Sequence, residues 1–443
     1  MAKKDFSQVM QKIEENDIKF IKLWFTDILG FLKSFSVPKE EIEKAFMEGI
    51  GFDGSSIEGF VRIDESDMVA IPDPSTFAIL PWRPKEKGVA RMFCDIVTPD
   101  GNPFEGDPRY VLKRNLEKAR EKGFTYYVGP ELEYFYFKDT TAPPQILDKG
   151  GYFDLIPRDE AIDLRRETVL FCEILGIKIE YSHHEVAPSQ HEIDMRYEDA
   201  LTMADNVMTY RLVVKEVAYR QGVYATFMPK PLFGENGSGM HTHMSLFKGK
   251  RNVFFNATGK YHLSNDARYF IGGLLKYAPE ITSITCQWVN SYKRLVPGYE
   301  APVYLSWAQR NRSDLIRVPM YKPGKEEATR VEYRSPDPAC NPYLAFTVML
   351  AAGLAGMEEK IEPPEPVEEN VYKMSPAERE KRGIRQLPGS LLEALQLTER
   401  SALVRKALGD HVFSHFIENK KVEWDHYRIQ ISSYELEKYL PVL

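Results

Sequence analysis

Three segments of this 443-residue chain alternate apolar side chains with charged or histidine side chains, and this period of two constrains the fold most. The segments are GPELEYFYF (129–137), GMHTHMSLF (239–247) and TRVEYRS (329–335). Because residues two apart on a strand share a face, each segment predicts a strand with one apolar and one polar face. A solvent-exposed sheet face would be polar without any functional reason. If the strands share one sheet, however, the polar faces gather glutamates, histidines and arginines in one place.

The segment SHHEVAPSQHEID (182–194) adds more carboxylates to this set. Its Ala187-Pro188-Ser189 sequence is typical of a turn between two strands, and a hairpin there would bring Glu185 beside Glu192. Taken alone, these acids are ordinary charges at strand ends. The nearby histidines fit no zinc spacing, whereas an excess of carboxylates suits a hard cation such as Mg²⁺ or Mn²⁺.

Composition narrows the classes of protein that the chain can belong to. Hydrophobic residues make up 43% and charged residues 28%, which is typical of a globular protein. The net charge of −7 argues against a nucleic-acid or anionic-membrane surface. We find no signal-peptide pattern, and the near-apolar window 345–357 is too short to span a membrane. The four cysteines are far apart and form no CxxC pair, so we expect a reducing, cytoplasmic setting.

The pattern of elements predicts two domains. Asp107-Pro108 is a helix-start signal, so we place the boundary near residue 105, with domains 1–105 and 106–443. The first is a small mixed α/β unit in which FDGSSIEGF (52–60) is predicted as a loop. The predicted strands are 18–27, 31–37, 89–97, 126–138, 177–186, 190–197, 239–247 and 328–335. The main predicted helices are 108–122, 158–175, 199–221, 264–278, 341–359, 376–382, 389–397, 400–408 and 410–419.

Two loops and a set of arginines complete the candidate site. NGSGMH (236–241) is rich in glycine, so its backbone could approach a ligand closely, and NSYKRLVPGYEAP (290–302) could be a flap or a plain surface loop. Arg294, Arg310, Arg312 and Arg317 offer planar donors for carboxylate or phosphate. The residues therefore indicate a metal-assisted enzyme that acts on anionic substrates such as nucleotide phosphates.

Taken together and in chain order, the motifs resemble those of one protein family. FDGSSIEGF, GPELEYF, HHEVAPSQHEID, KPLFGENGSGMH, NSYKRLVPGYEAP, NRS and RVEYRSPDPACNPYLA resemble, in order, the motifs of glutamine synthetases of the bacterial and archaeal type I. The resemblance runs from about residue 18 to the end of the chain. It implies an α+β fold, with a small N-terminal β-grasp domain and a large catalytic domain whose curved antiparallel sheet is packed by helices. It also implies ATP-dependent ligation of ammonia to glutamate through γ-glutamyl phosphate.

The resemblance also implies a role for individual residues. Two or more Mg²⁺ or Mn²⁺ ions are implied in each active site, and ATP is a substrate. The implied ligands of one metal are Glu133, Glu185 and Glu192, and those of a second are Glu131, His241 and Glu332. The implied glutamate-binding residues are Asn236, Gly237, Arg294, Glu300, Arg312 and Arg334. The implied ATP-binding residues are Glu180, His243, Ser245, Arg312, Arg317 and Arg330, and the implied catalytic residues are Asp53, Glu300 and Arg312.

One detail conflicts with the strand prediction. Glu180 and Glu185 are five positions apart, an odd spacing that puts them on opposite faces of a regular strand, yet both are expected to face the site. Either a bulge intervenes or Glu185 lies beyond the strand end.

Assembly and regulation are also implied by the resemblance. We expect a dodecamer of two hexameric rings with active sites between subunits, to which a neighbour contributes Asp53. Arg385 stands where adenylylated relatives carry a tyrosine, so adenylylation is not expected. Arg62 resembles the arginine of a feedback-inhibited subgroup, and regulatory proteins are further possible partners. Two alternatives stay open: a γ-glutamyl-amine ligase with another amine acceptor, and a non-catalytic descendant with a regulatory role.

Overall fold

The computed structural model describes residues 6–59, 67–84 and 86–443. Arg62, the predicted regulatory residue, lies outside the described residues, so its role stays a prediction.

The N-terminal part of the chain forms a six-stranded sheet with two helices. Its strands are β1 Ile18–Thr26, β2 Leu32–Pro38, β3 Ile50–Asp53, β4 Asp67–Pro72, β5 Ala78–Ile79 and β6 Gly88–Val97, and its helices are α1 Ser7–Glu15 and α2 Ile42–Glu48. The strand order is β2-β1-β6-β4-β3, with β5 paired to β6. The strands β1 and β6 are parallel, and the other pairs are antiparallel. Thus β3 is an edge strand.

The predicted loop 52–60 is partly wrong. Phe52 and Asp53 are the last residues of β3, and the chain then makes a 3₁₀ turn over Gly54–Ile57. The Asp53 carboxylate accepts a hydrogen bond of 2.9 Å from the Ser55 backbone N–H, which begins that turn. The glycines suggested a loop, but pairing of β3 with β4 extends the strand as far as Asp53.

The larger sheet has ten strands and is antiparallel except for one pair. The strands are β7 Thr125–Phe137, β8 Ile179–His184, β9 Gln190–Met195, β10 Glu198–Asp199, β11 Tyr224–Thr226, β12 Met240–Lys248, β13 Arg251–Asn252, β14 Tyr304–Ala308, β15 Asp314–Arg317 and β16 Val331–Tyr333. The order is β14-β15-β16-β12-β7-β9-β8, with β10 and β11 on β7 and β13 on β12. Among the described pairs of this sheet, only β14 and β15 run parallel.

Helices cover the apolar face of the larger sheet. The helices after residue 105 are α3 Pro108–Glu121, α4 Ile162–Ile174, α5 Ala200–Arg220, α6 Asn265–Thr285, α7 Ser291–Arg294, α8 Pro342–Glu359, α9 Pro376–Lys381, α10 Leu391–Glu399, α11 Ala402–Leu408, α12 Asp410–Arg428 and α13 Ser433–Tyr439. Of these, α9 and α13 have no buried residue. In the described part of the chain, none of these helices is both long and apolar enough to cross a membrane. The side chains of Leu132, Met244 and Val331, on the apolar face of the sheet, are fully buried in this core.

The centre of this core is the contact between α6 and α8. A Cβ atom on Gly273 would lie 2.7 Å from the Gly356 Cα atom, so only glycine permits the two helices to approach this closely. The helix α6 was predicted to end at residue 278, before Pro279, but it continues to Thr285. Burial of Ile281 and Ile284 in the core stabilises the last turns although proline removes one helical hydrogen bond.

Buried polar contacts join the small sheet to the rest of the chain. Arg109, at the start of α3, is 3% exposed and forms ion pairs with Asp73 (3.1 Å), Asp95 (2.5 Å) and Asp205 (2.9 Å). Asp73 and Asp95 belong to the small sheet region, whereas Asp205 lies in α5. One guanidinium thus neutralises carboxylates from both sides of the junction.

We predict that Arg109→Ala destabilises the protein by about 3–5 kcal/mol, because the buried Asp73 and Asp205 lose their ion pairs with Arg109, whereas Asp95 keeps its pair with Lys113. The urea midpoint and the melting temperature would measure this loss. Arg120→Ala is the matched control, since Arg120 lies on the same helix but is exposed and pairs only with Glu117 among the described residues. Equal stability of the two variants would contradict the proposed importance of the junction.

Candidate active site

Strand register brings the three predicted polar faces together on one sheet. His241 on β12 lies opposite Glu131 on β7, and His243 lies opposite Glu332 on β16. On the other side of β7, Glu133 lies opposite Glu192 of β9. The predicted convergence is confirmed, and the alternative of a plain solvent-exposed face is wrong, because Glu133, Glu192 and Glu332 are buried.

One group of candidate metal ligands lies where β7, β8 and β9 meet. The Glu185 and Glu192 carboxylates and the His183 imidazole place donor atoms within 4.8 Å of one another. His183 Nε2 lies 3.2 Å from Glu192 Oε2, and its Nδ1 lies 3.6 Å from Glu185 Oε1. Burial and the charge of Glu185 raise the pKa of Glu133 to about 8. Burial and the charge of Asp194 likewise raise the pKa of Glu192 well above its ordinary value.

Hydrogen bonds to the segment 147–148 fix the position of the hairpin that carries Glu185 and Glu192. Ser189 adopts a φ of 62° at the predicted turn, and its hydroxyl accepts a 2.7 Å hydrogen bond from the Leu147 backbone N–H. His184 Nε2 lies 2.8 Å from Asp148 Oδ1, with both side chains fully buried. The same Asp148 oxygen accepts a hydrogen bond from the Ser189 backbone N–H (2.9 Å). These contacts hold the hairpin in the position that brings its two glutamates together.

Both explanations for the parity of Glu180 and Glu185 apply. The pairing of β8 with β9 shifts by one residue between Ile179 and Tyr181, which places a bulge at Glu180. A bulge turns adjacent side chains toward the same face, so Glu180 reaches the site together with Tyr181. Glu185 comes directly after the end of β8.

The second group of candidate ligands joins β7, β12 and β16. His241 Nδ1 lies 3.5 Å from Glu131 Oε2 and 3.9 Å from Glu332 Oε1. Burial and the charge of Arg334 lower the pKa of His241 to about 4, so its imidazole is neutral at physiological pH and can bind a metal. Burial alone would raise the pKa of Glu332, but the positive charge of Arg334 outweighs burial and lowers this pKa to about 2. Arg334 pairs with Glu332 at 2.7 Å, and Arg317 forms a second, very short pair.

A cleft of about 300 Å³ opens beside the second group. Four of the predicted ATP-binding residues line it: Glu180, His243, Ser245 and Arg330. Arg330 Nε donates to His243 Nδ1 (3.2 Å), and His243 Nε2 therefore donates to Glu131 Oε1 (2.8 Å). This chain of hydrogen bonds connects the cleft with a candidate metal ligand.

A smaller pocket lies on the other side of the candidate ligands. Its lining includes five of the predicted glutamate-binding residues, Asn236, Gly237, Arg294, Glu300 and Arg334, together with Glu133, Glu185, Gln190, His241 and Tyr299. The Arg294 guanidinium is held by the backbone carbonyl of Ser335 at 2.7 Å. Gly237 admits no side chain, because a Cβ atom there would lie 2.3 Å from the Pro229 carbonyl oxygen. Glu300, on the loop predicted as a flap or a plain surface loop, has a φ of 55°, which is uncommon for a residue other than glycine.

Apart from the candidate metal ligands Glu192 and Glu332, three of the described predicted residues line neither pocket. Arg317 instead pairs with Glu332, and Arg312 is exposed and interacts with Tyr152, whose ring lies 5.4 Å from that of His183. Asp53 is exposed on the edge strand β3 of the small sheet. Every residue that lines the smaller pocket lies after residue 105, so the chain's own Asp53 is not part of it.

The sequence analysis missed several side chains of the cleft and the pocket. Asp194 lines the cleft, and its position two residues after Glu192 on a predicted strand was a usable signal. Tyr127 has the same parity as Glu131 and could have been found in the same way. Tyr197 also lines the cleft, but it follows a strand end and no periodic pattern marks it. Gln190, which donates to Glu133 at 2.8 Å, gave no signal beyond its place in the motif.

Comparison with known protein families matches both parts of the chain. Residues 17–99 match the family model described as glutamine synthetase, beta-Grasp domain. Residues 105–439 match the model described as glutamine synthetase, catalytic domain. The expected combination of a β-grasp domain and a large catalytic domain is therefore confirmed.

Curated relatives and solved structures agree with this assignment. The glutamine synthetase of Methanosarcina mazei is 55% identical over 438 residues, which cover 98% of this chain and 97% of the relative. The glutamine synthetase of Thermotoga maritima is 51% identical over 431 residues, with 97% and 98% covered. A solved structure titled "GmaS/ADP complex-Conformation 1" is 32% identical, with a TM-score of 0.88 over 98% of this chain and 99% of that one. The cryo-EM structure of Plasmodium falciparum glutamine synthetase is 25% identical, with a TM-score of 0.88 over 98% of each chain.

The fold, the strand register and these matches lead to one assignment: the chain belongs to the glutamine synthetase family.

Proposed function

We propose that this enzyme ligates ammonia to L-glutamate at the expense of ATP, giving L-glutamine, ADP and phosphate. The observation that carries this proposal is the order of three features along one sheet. A cleft large enough for a nucleotide, two groups of candidate metal ligands and a small arginine-lined pocket lie side by side. This order places a nucleotide and a small anionic substrate on opposite sides of the candidate ligands.

The chemistry of the ligand set fits Mg²⁺ or Mn²⁺. The proposed donors are mainly carboxylate oxygens, with His241 as the one imidazole among the six residues, and such sets suit hard divalent cations. Among the described residues, Glu192 Oε1 is buried without a hydrogen-bond partner, as expected for a carboxylate oxygen that a cation would bind. We propose Glu133, Glu185 and Glu192 for one ion and Glu131, His241 and Glu332 for another. Bound there, the ions would neutralise the phosphate charge during transfer.

Two steps account for the reaction. In the first, a γ-carboxylate oxygen of glutamate attacks the γ-phosphorus of ATP, and ADP leaves. In the second, the ammonia nitrogen attacks the γ-carbonyl carbon, and phosphate leaves. Arg294 and Arg334, with Asn236 and Gly237, would hold glutamate, while Glu180, His243, Ser245 and Arg330 would hold ATP.

The remaining proposed residues act on charge and protons. We place Arg312 and Arg317 near the phosphates, where a guanidinium can stabilise charge in the transition state. Glu300 of the flap would accept a proton from ammonium and cover the intermediate, and Asp53 would bind ammonium. We also propose that the chain divides into an N-terminal domain, 1–105, and a catalytic domain, 106–443.

The assembly we propose is a dodecamer of two hexameric rings, located in the cytoplasm. Asp53 lies on an edge strand outside its own chain's pocket, which supports donation to a neighbour. The C-terminal segment also exposes several large apolar side chains, an arrangement typical of interfaces. They are Ile429, Ile431, Tyr434, Leu436, Tyr439, Leu440, Val442 and Leu443.

The first prediction concerns the amine acceptor. With ATP and glutamate present, phosphate release should depend on a divalent metal and on ammonium, because Asp53 and Glu300 suit a small cationic nucleophile. The measurement is phosphate release with ammonium against a panel of primary amines. A clear preference for an amine would favour the γ-glutamyl-amine ligase instead, and no release with any acceptor would favour a non-catalytic descendant.

The second prediction separates metal binding from folding. The suitable residue is Glu192, because Glu332 is balanced by two arginines and its removal would leave Arg334 buried without a partner. Glu192→Gln should lower metal affinity and turnover by at least ~10–100-fold. Without metal its melting temperature should not fall, because one of several neighbouring carboxylate charges is gone.

Metal titration, turnover and thermal melting of Glu192→Gln would be compared with those of Glu198→Gln. Glu198 lies on β10 of the same sheet and pairs with Lys178 at the surface (3.0 Å). Unchanged metal affinity of Glu192→Gln, or a large loss of metal-free stability, would count against the proposed ligand role.

The third prediction tests whether sites are shared between subunits. Asp53→Asn and Glu192→Gln should each be nearly inactive as pure assemblies. Co-expressed at equal levels, they should regain activity in about a quarter of the sites, because random mixing pairs an intact Asp53 with an intact Glu192 across a boundary. Activity of purified mixed assemblies is the measurement, and assemblies mixed only after separate folding are the control. If mixed assemblies stay inactive, Asp53 serves its own chain.

A further inference from the structure

A second cluster of metal-binding residue types lies away from the candidate active site. Glu58 follows the 3₁₀ turn after Asp53, and His411 and His415 lie one turn apart on α12. Their donor atoms all lie within 4.8 Å of one another. None of the three lines the nucleotide-sized cleft or the smaller pocket.

The Glu58 carboxylate is buried without an ordinary cationic partner. Within the described residues, it has no lysine or arginine at ion-pair distance, and its partners are His411 Nε2 (2.8 Å) and His415 Nδ1 (3.0 Å). A buried carboxylate is costly unless a charge or several hydrogen bonds balance it. The two histidines are therefore its main source of compensation.

The second of these contacts is not a satisfactory hydrogen bond. Within the part of the chain that the structure describes, Glu58 Oε2 and His415 Nδ1 are both buried and lack a partner with hydrogen-bond geometry, although they lie 3.0 Å apart. Two ligand atoms that lie this close without bonding each other are suited to a shared cation. An ion between them would satisfy both atoms at once.

The spacing of the donor atoms also fits an ion. Ligands of a tetrahedral Zn²⁺ lie about 3.4 Å apart, given bond lengths of about 2.1 Å. The observed pairs would each need to open by about half an ångström, which small rotations of the side chains can supply. The two imidazole rings are stacked, with centroids 4.4 Å apart.

Solvent reaches the cluster at His411. Gly106 lies against this side chain, and a Cβ atom on Gly106 would lie 2.8 Å from His411 Nε2, so the site admits no larger residue there. The His411 side chain is 28% exposed, which provides a path for an ion and room for a water molecule as a further ligand.

We propose that Glu58, His411 and His415 form a binding site for a transition-metal ion of the Zn²⁺ class. Two imidazoles and one carboxylate suit Zn²⁺ or Co²⁺, whereas Mg²⁺ prefers oxygen ligands alone. The ion would fasten the segment that follows Asp53 to α12, where Asn419 already donates to the Glu58 carbonyl (3.0 Å).

The test compares wild type with His411→Gln in the full-length assembled protein. Glutamine can still donate a hydrogen bond to Glu58 but is a poor ligand for Zn²⁺, so this variant separates a hydrogen-bonded contact from a metal site. After chelation, both proteins would be dialysed against Zn²⁺ with excess Mg²⁺, and bound zinc would be measured. His411→Gln should hold about one equivalent less per chain than wild type. His426→Gln, at an exposed position on the same helix, should match wild type.

A second measurement does not depend on zinc at the other sites. Co²⁺ added to wild type should give a visible absorption band of a tetrahedral site, and the band should be absent in His411→Gln and in Glu58→Gln. Equal zinc content in wild type and His411→Gln, together with identical Co²⁺ spectra, would overturn the proposal and leave a plain histidine–carboxylate contact. Its failure would not affect the proposed glutamine synthesis, which uses other residues.

Discussion

Repulsion among carboxylates on one face of the ten-stranded sheet is the constraint on which much of this structure depends. Glu131, Glu133, Glu192, Asp194 and Glu332 come from three strands, β7, β9 and β16, and the register leaves them no freedom to separate. Such a face is unfavourable unless arginines and cations balance it. The opposite face of the same strands supplies the stabilisation, because its side chains are fully buried under α5, α6 and α8.

The two ends of this acidic face are balanced differently. At β16, Arg334 and Arg317 compensate Glu332, and its pKa is low. At β8 and β9 the carboxylates face one another with histidine and glutamine as their partners, and the pKa values of Glu133 and Glu192 are raised. We therefore expect the group around Glu192 to gain more from a divalent cation than the group around Glu332. Arginines thus balance one end of the face, and a bound cation would balance the other.

The sequence predicted those parts of the fold whose signal is local and periodic. Alternation identified β7 and β12 to within a residue or two, because one face of each strand packs on helices and the other lines the site. The strand β14 was missed because all five of its residues are buried and no alternation marks it. The end of α6 was missed because tertiary packing overrides the proline signal. The bulge at Glu180 depends on pairing with β9, which only the folded sheet defines.

The candidate site also has a part that local sequence patterns predict and a part that they do not. Same-face spacing was enough to group Glu131 with Glu133 and His241 with His243, whereas the assignment of roles needed the family resemblance. Distances between strands, such as that from His243 to Glu131, depend on the pairing register, which only the folded sheet defines. No local pattern in the sequence paired Glu58 with His411 and His415, which lie more than 350 positions along the chain from it.

The bulge in β8 makes the length of this segment more important than its composition. With two side chains in place of one opposite Asp194, the strand presents Glu180 and Tyr181 together and then resumes its alternation toward His183 and Glu185. Deleting one residue there would restore regular pairing but would turn part of the strand to the wrong face. Among relatives, substitutions at Ser182 or Ile179 should be common, whereas insertions or deletions between positions 179 and 185 should be rare. The insertion or deletion of a single residue here would therefore exchange the side chains that face the site for those that face away from it, although the rest of the sequence is unchanged.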